Sequence, residues 1–138
     1  MRSYHYLISD AGAQEGHYVE LLQSRLMELL QALLVRVKVD EKWYLATYPD
    51  VAAAVKKGEL TSAREHYIRA GYVENRLPGP IGVDEAWYLK EYPDVSAAIK
   101  TGAFKNGQQH FERSGFKEGR LPADGWSLLN TMQPEAAR

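Results

Sequence analysis

The feature that most constrains this sequence is an internal repeat with a period of 44 residues. Residues 39–78 align with residues 83–122 without a gap, and 21 of the 40 aligned positions are identical. The identities include Trp-Tyr-Leu and Tyr-Pro-Asp-Val near the start of each copy, and Arg-Leu-Pro at its end. A duplication of this length indicates one supersecondary unit used twice, in which each copy relies on a neighbour to cover an apolar face.

Glycines and prolines divide each copy into short segments, of which the first two have clear helix signals. Asp40 is a residue type that accepts hydrogen bonds from the free amides at a helix start. Pro49 ends this helix, forces Tyr48 out of the helical region and is suited to open a second helix. Gly58 is suited to the left-handed position that follows the second helix. The second copy carries the same residues 44 positions later.

The third segment of each copy begins with a capping signal. Ser62 and Glu65 match a capping box, in which each side chain satisfies the other residue's free amide. The second copy has Asn106 and Gln109 at these positions, so the residue types differ while the capping chemistry is kept. Gly71 and its counterpart are predicted to close the third helix. Each copy is therefore predicted to contain three short helices.

The segment before the repeats carries the only long helical pattern, predicted to run from residue 14 to residue 37. One row of apolar side chains recurs at spacings of three and four, as in a helix that packs against another helix. This row is the predicted oligomer interface and consists of Val19, Leu22, Leu26, Leu29 and Leu33. A second apolar row lies beside it and consists of Met27, Leu30, Leu34 and Val37.

Two interpretations of this wide apolar surface stay open. In the first, the two repeats surround the helix and bury it completely. In the second, one side of the helix covers the repeats and the other side binds a partner chain. The second interpretation predicts a homo-oligomer, with a dimer as the expected assembly.

The charge balance and the absence of cysteine narrow the function classes. The chain has 17 Lys and Arg against 18 Asp and Glu, which argues against binding to nucleic acid or to an anionic membrane. It has no cysteine, which excludes thiol catalysis and thiolate metal sites. The N-terminus lacks the apolar core of a secretory signal, and no segment is apolar enough to span a bilayer, so a cytoplasmic location is expected.

No catalytic set or cofactor motif is recognisable in the sequence. There is no glycine-rich phosphate loop, no nucleophile elbow and no metal-ligand spacing around the histidines. Charged and histidine side chains that recur with the repeat favour a structural role, because a catalytic centre is generally unique within a domain. We therefore expect a protein without enzymatic activity, cofactor or metal. The residues that form a candidate ligand or partner surface are Trp43, Tyr44, Trp87, Tyr88, His66, His110, Arg69 and Arg113.

The repeat resembles a short tandem repeat of bacterial proteins. The pattern is Asp-x-x-Trp-Tyr-Leu-x-x-Tyr-Pro-Asp-Val, followed by His-Tyr or His-Phe, then Gly, Glu and Arg-Leu-Pro, and it covers residues 39–122. In proteins of that kind the repeat flanks glycosyltransferase domains or occurs in large cell-surface proteins, and it is not itself catalytic. The resemblance implies a carbohydrate- or small-ligand-binding module that uses surface aromatic side chains.

The sequence thus predicts an all-α fold, with a long N-terminal helix followed by two three-helix repeats. The predicted parts are an arm and oligomerisation helix at 1–38, a first repeat at 39–82, a second repeat at 83–122 and a tail at 123–138. The predicted function is that of a non-enzymatic, oligomerising adaptor or accessory subunit that binds another protein through its repeats. The carbohydrate-binding module is the alternative.

Overall fold

The computed structural model describes residues 22–129, and every regular element within this range is a helix. The all-α prediction is therefore confirmed for these residues. Residues 1–21, which include the predicted arm, the first part of the predicted long helix and Val19, lie outside the described range. Residues 130–138 of the predicted tail also lie outside it.

The first of two compact units occupies residues 22–80 of the described range. It opens with the helix that precedes the repeats, and this helix ends three residues earlier than the pattern predicts. Three shorter helices follow, and the last of them continues directly into a π-helical segment, π1. The bounds are α1 Gln23–Leu34, α2 Glu41–Thr47, α3 Pro49–Lys56, α4 Ala63–His66 and π1 Tyr67–Gly71.

The second unit occupies residues 81–129 of the described range. Each of its elements has a counterpart of the same length in the first unit. Each element also begins 44 residues after that counterpart, as for α2 at 41 and α5 at 85. The bounds are α5 Glu85–Glu91, α6 Pro93–Lys100, α7 Gly107–His110 and π2 Phe111–Gly115.

Helix starts in both units follow the predicted capping chemistry. The carboxylate of Asp40 accepts a hydrogen bond from the backbone amide of Trp43 at 2.9 Å, and Asp84 caps α5 in the same way. Tyr48 has φ −119° and ψ 84°, outside the helical region, and Pro49 begins α3. The predictions for these two helix starts are confirmed.

The third helix begins as predicted, although one of its capping bonds is displaced. The hydroxyl of Ser62 accepts from the amide of Glu65 at 3.0 Å. The Glu65 carboxylate accepts from the amide and the hydroxyl of Thr61, both at 2.7 Å, one residue earlier than in a capping box. Asn106 and Gln109 make the matching pair of backbone bonds in the second unit.

Gly58 and Gly102 adopt the left-handed conformation predicted after the second helix, whereas Gly71 and Gly115 end the regular structure without it. The π-helical segments finish at Gly71 and Gly115. The left-handed residues come four positions later, at Asn75 with φ 59° and Gly119 with φ 79°. The need for glycine at positions 71 and 115 is therefore not a conformational one.

An aromatic pair lies at the centre of each unit. In the first unit, the rings of Tyr44 and Tyr67 meet edge to face with centroids 6.1 Å apart, and both residues are fully buried. In the second unit, Tyr88 and Phe111 meet in the same way at 6.2 Å. The pair joins α2 to π1 in the first unit and α5 to π2 in the second. Because π1 and π2 continue α4 and α7, this contact fixes how α4 crosses α2 and how α7 crosses α5.

Replacement of Tyr67 by phenylalanine is expected to stabilise the protein. The Tyr67 hydroxyl is buried and has no hydrogen-bond partner among residues 22–129, whereas the equivalent residue in the second unit is Phe111. A buried hydroxyl without a partner costs about 1–3 kcal/mol. Tyr67→Phe is therefore expected to raise the free energy of unfolding by about 1 kcal/mol in urea denaturation. Phe111→Tyr is the matched control and is expected to lower it, so a loss of stability in Tyr67→Phe contradicts this account.

Candidate functional site

A tyrosine–histidine hydrogen bond links the first and third helices of each repeat, α2 to α4 and α5 to α7. The hydroxyl of Tyr44, on α2, lies 3.0 Å from Nδ1 of His66, at the end of α4. Tyr88 and His110 make the same contact at 2.9 Å. Both tyrosines are fully buried, so this pair is part of the interior of each unit.

The duplicated glycines make room for this hydrogen bond. A Cβ atom added to Gly71 would overlap the hydroxyl oxygen of Tyr44 and would lie 3.3 Å from Nδ1 of His66. Gly115 stands in the same relation to the hydroxyl of Tyr88. Any side chain at these positions would displace the tyrosine, which explains why glycine recurs there.

In the first unit, an arginine and two carboxylates form a charged group on the outer side of this pair. The guanidinium of Arg76 donates two hydrogen bonds to the carboxylate of Asp50, at 2.9 and 2.6 Å, and its Nε donates to Glu74 at 2.7 Å. The same guanidinium lies over the ring of Tyr48, 4.8 Å from its centroid. Arg76 thus connects the start of α3 with the chain that follows π1.

The second unit repeats this arrangement with almost unchanged distances. Arg120 donates to Asp94 at 2.9 and 2.6 Å and to Glu118 at 2.8 Å. Its guanidinium lies 4.9 Å from the centroid of the Tyr92 ring. The arginine and its aspartate are 26 residues apart, which is not the spacing of neighbours on a helix or in a hairpin. The sequence pattern therefore shows that these charges are duplicated, but not that they form ion pairs with each other.

The charges and the burial set the protonation states of the network. The hydrogen bonds from Arg76 lower the pKa of Asp50 to about 2, because they stabilise its charged form. Burial raises the pKa of Tyr44 and lowers the pKa of His66. Glu74 lies 3.8 Å from Nε2 of His66, which favours the tautomer with its proton on Nε2 and leaves Nδ1 to accept from Tyr44.

This set of side chains has the composition of a proton relay but not the access that one requires. The tyrosine hydroxyl is enclosed in the interior, and burial raises its pKa further above neutral pH, so it does not ionise there. Within residues 22–129, no group of three His, Asp or Glu side chains is placed to hold a metal ion. The arrangement supports a structural role for the duplicated tyrosine and histidine.

Part of the surface expected from the sequence is in fact interior. Tyr44 and Tyr88 are fully buried, and His110 is 5% exposed. The inclusion of these three residues in a candidate ligand or partner surface is therefore wrong. The spacing that places the tyrosines beside the tryptophans on one short helix does not reveal which of the two rings points inward.

The other residues of the predicted surface keep some access to solvent. Trp43 is half-buried, with its ring edge-to-face against Tyr48 at 6.1 Å, and Trp87 has the same place in the second unit. Arg69 is exposed and pairs with Glu65 at 2.9 Å. His66 is half-buried, and Arg113 is exposed. Trp43 and Arg69 thus form one group in the first unit, and Trp87 and Arg113 form the equivalent group in the second.

The predicted oligomer interface on α1 is largely uncovered. Leu22 is 74% exposed and Leu29 is 56% exposed, while Leu26 and Leu33 are half-buried. The neighbouring row of Leu30, Leu34 and Val37 is buried, and Met27 is half-buried. Within its own unit, α1 is therefore buried on one side and exposed on the other.

Within residues 22–129, no helix combines the length and the apolar character needed to cross a membrane. The chain matches no protein-family model, and it has no match among curated proteins or solved structures.

The close contact at Gly71 predicts a strong coupling with Tyr44. Gly71→Ala is expected to lower the free energy of unfolding by about 2 kcal/mol, because the new methyl group overlaps the Tyr44 hydroxyl. In the Tyr44→Phe background the same substitution is expected to cost clearly less, since the oxygen is gone. A double-mutant cycle in urea measures this coupling.

Gly82→Ala is the control for this cycle, because a Cβ at Gly82 meets no atom within 4 Å. It is expected to leave stability nearly unchanged. Strictly additive effects of Gly71→Ala and Tyr44→Phe would contradict the contact as described.

Proposed function

We propose that this chain is a non-enzymatic, self-associating adaptor of the cytoplasm. One face of α1 pairs with the same face of a second copy, and the helical repeats bind another protein. The observation that carries the proposal is the exposure of Leu29 on α1 and of Leu22 directly before it, beside an apolar row in which Leu30 and Leu34 are buried.

The fixed position of α1 supports a defined interface on this helix. Leu30 and Leu34 are buried on the side that contacts π1. The guanidinium of Arg64, from α4, donates a hydrogen bond to the carbonyl of Val35 just after the helix end. These contacts attach α1 to its unit along one side and just after its C-terminus, on the sides that the exposed leucines do not occupy.

The spacing of the exposed row supports a second copy as its occupant. Leu22, Leu26, Leu29 and Leu33 follow one another at intervals of four, three and four residues, which is the a/d spacing of a two-helix coiled coil. Such a row is complementary to itself when two copies meet around a two-fold axis. Full burial of one leucine side chain contributes about 1.5–3 kcal/mol, so the row from two copies favours a stable pair.

Repetition of the surface groups supports binding of another protein through the units. Trp43 and Arg69 in the first unit recur as Trp87 and Arg113 in the second, and each of the four keeps access to solvent. Tryptophan and arginine are the side chains that most often dominate protein interfaces. The same group of residues presented twice is suited to a partner with a repeated or extended surface.

A carbohydrate-binding module is the second candidate function. It is supported by the partial exposure of Trp43 and Trp87 and by the resemblance to repeats that flank glycosyltransferase domains. Binding of glycans on an array that is lost in Trp87→Ala, with an unchanged circular dichroism spectrum, would favour this candidate. Absence of binding to any glycan would remove it.

A charge placed in the exposed row is expected to separate the copies. We expect the protein to sediment as a dimer at about ten micromolar, and Leu29→Lys to sediment as a monomer. The dissociation constant is expected to rise about 100-fold or more, because each copy loses a buried leucine and places a charge in the interface. Ser24→Lys lies on the opposite side of α1 and is the matched control, which is expected to stay dimeric.

Thermal unfolding followed by circular dichroism verifies that Leu29→Lys keeps its fold, since Leu29 lies on the surface. A monomeric parent protein, or a Leu29→Lys variant that dimerises as tightly as the parent, would refute the self-association proposal.

A further inference from the structure

His110 is a titratable side chain enclosed in the second unit, so contact with a partner at the surface does not explain why it is there. It is 5% exposed, and its Nδ1 lies 2.9 Å from the hydroxyl of the fully buried Tyr88. The ring of Phe104 meets it edge to face, with centroids 4.8 Å apart. An imidazole in this position can accept the tyrosine proton only while it is neutral.

The charged groups around His110 do not compensate a positive charge on it. The charge of Arg120 opposes protonation of His110, while the charges of Glu118 and Asp94 favour it with smaller effects. Both carboxylates already accept hydrogen bonds from Arg120. Within residues 22–129, no carboxylate oxygen lies within 4 Å of a ring nitrogen of His110. Burial and the Arg120 charge together lower the pKa of His110.

The equivalent histidine of the first unit has different surroundings. His66 is half-buried, and Leu60 takes the position that Phe104 has in the second unit. Glu74 Oε2 lies 3.8 Å from Nε2 of His66, so the protonated ring gains an ion pair. Arg76 and Asp50 also face it with opposite effects. Burial still lowers the pKa of His66, but the carboxylate opposes that shift.

We propose that the tyrosine–histidine pair makes the second unit acid-sensitive, so that protonation of His110 loosens α5 from α7 at a pH where the first unit stays closed. Protonation places an N–H on Nδ1, and Tyr88 can no longer donate to it. The buried Tyr88 hydroxyl then loses its hydrogen-bond acceptor. The positive charge on His110 also has no carboxylate of the described residues within ion-pair distance. The first unit avoids the second of these costs through Glu74.

The direction of the pH effect follows from proton linkage. A histidine in the unfolded chain titrates near pH 6.5, and His110 in the folded unit titrates lower. The unfolded state therefore binds the proton more readily, and the stability of the unit is complete above about pH 6.5 and falls as the pH falls below it. For one group, the opening equilibrium changes by at most about tenfold per pH unit. Asp50, with its pKa of about 2, titrates in a separate, more acidic range.

Hydrogen exchange of the full chain at two pH values tests the proposal. After correction for intrinsic exchange rates, the opening constant of amides in α5 and α7 is expected to rise about fivefold or more between about pH 7 and pH 5. Amides in α2 and α4 are expected to change by a clearly smaller factor. Equal changes in the two units, a larger change in the first unit, or no change in either would overturn the proposal.

Matched substitutions assign the effect to one side chain. His110→Gln is expected to remove the pH dependence of exchange in the second unit, whereas His66→Gln is expected to leave it intact. Persistence of that dependence in a folded His110→Gln variant would overturn the proposal.

A titration of the unmodified chain does not depend on the folding of these variants. Ring carbon NMR shifts are expected to show His110 titrating at a lower pH than His66, with both below about pH 6.5. His110 titrating at or above His66 would overturn the proposal.

Discussion

The hydrogen bond between a tyrosine on α2 or α5 and a histidine at the end of α4 or α7 is the constraint around which each unit is built. Because the tyrosine hydroxyl is buried, it needs a partner inside the unit, and the histidine provides one. Because the hydroxyl passes so close to the backbone after the third helix, only glycine fits there. The tyrosine, the histidine and the glycine therefore recur together in each repeat, because all three are needed for the same contact.

The charged layer outside this pair contributes less to stability than its number of contacts suggests. Asp50 and Glu74 are exposed, and ion pairs between exposed side chains are worth about 0–1 kcal/mol. Arg76 is less exposed than either carboxylate and packs its guanidinium on Tyr48. Its main effect is therefore to hold the start of α3 against the segment that follows π1. The buried pair supplies the larger energetic contribution, since an unpaired hydroxyl there costs about 1–3 kcal/mol.

The two units share this framework and differ in what surrounds it. In the first unit, Arg64 binds a carbonyl just after a leading helix, while in the second, Gln108 at the same position binds the carbonyl of Ile81 in an extended segment. Leu22 and Leu29 are exposed at the leading helix, whereas residues 81–129 of the second unit expose no large aliphatic side chain. The proposed self-association rests on the leading helix, and the proposed acid sensitivity rests on the different surroundings of His66 and His110.

The sequence by itself determined the starts of the short helices in residues 39–122. The period of 44 residues, the capping residues and Pro49 specified where the short helices begin, because these signals act through the backbone of neighbouring residues. It did not determine which ring of Trp43 and Tyr44 is buried, which carboxylate Arg76 binds, or why Gly71 is glycine. These features depend on contacts between residues 22 to 29 positions apart, whose geometry only the packed unit defines. The exposure of the leucines on α1 was likewise decided by tertiary structure, because an apolar row has the same pattern whether the fold covers it or leaves it free.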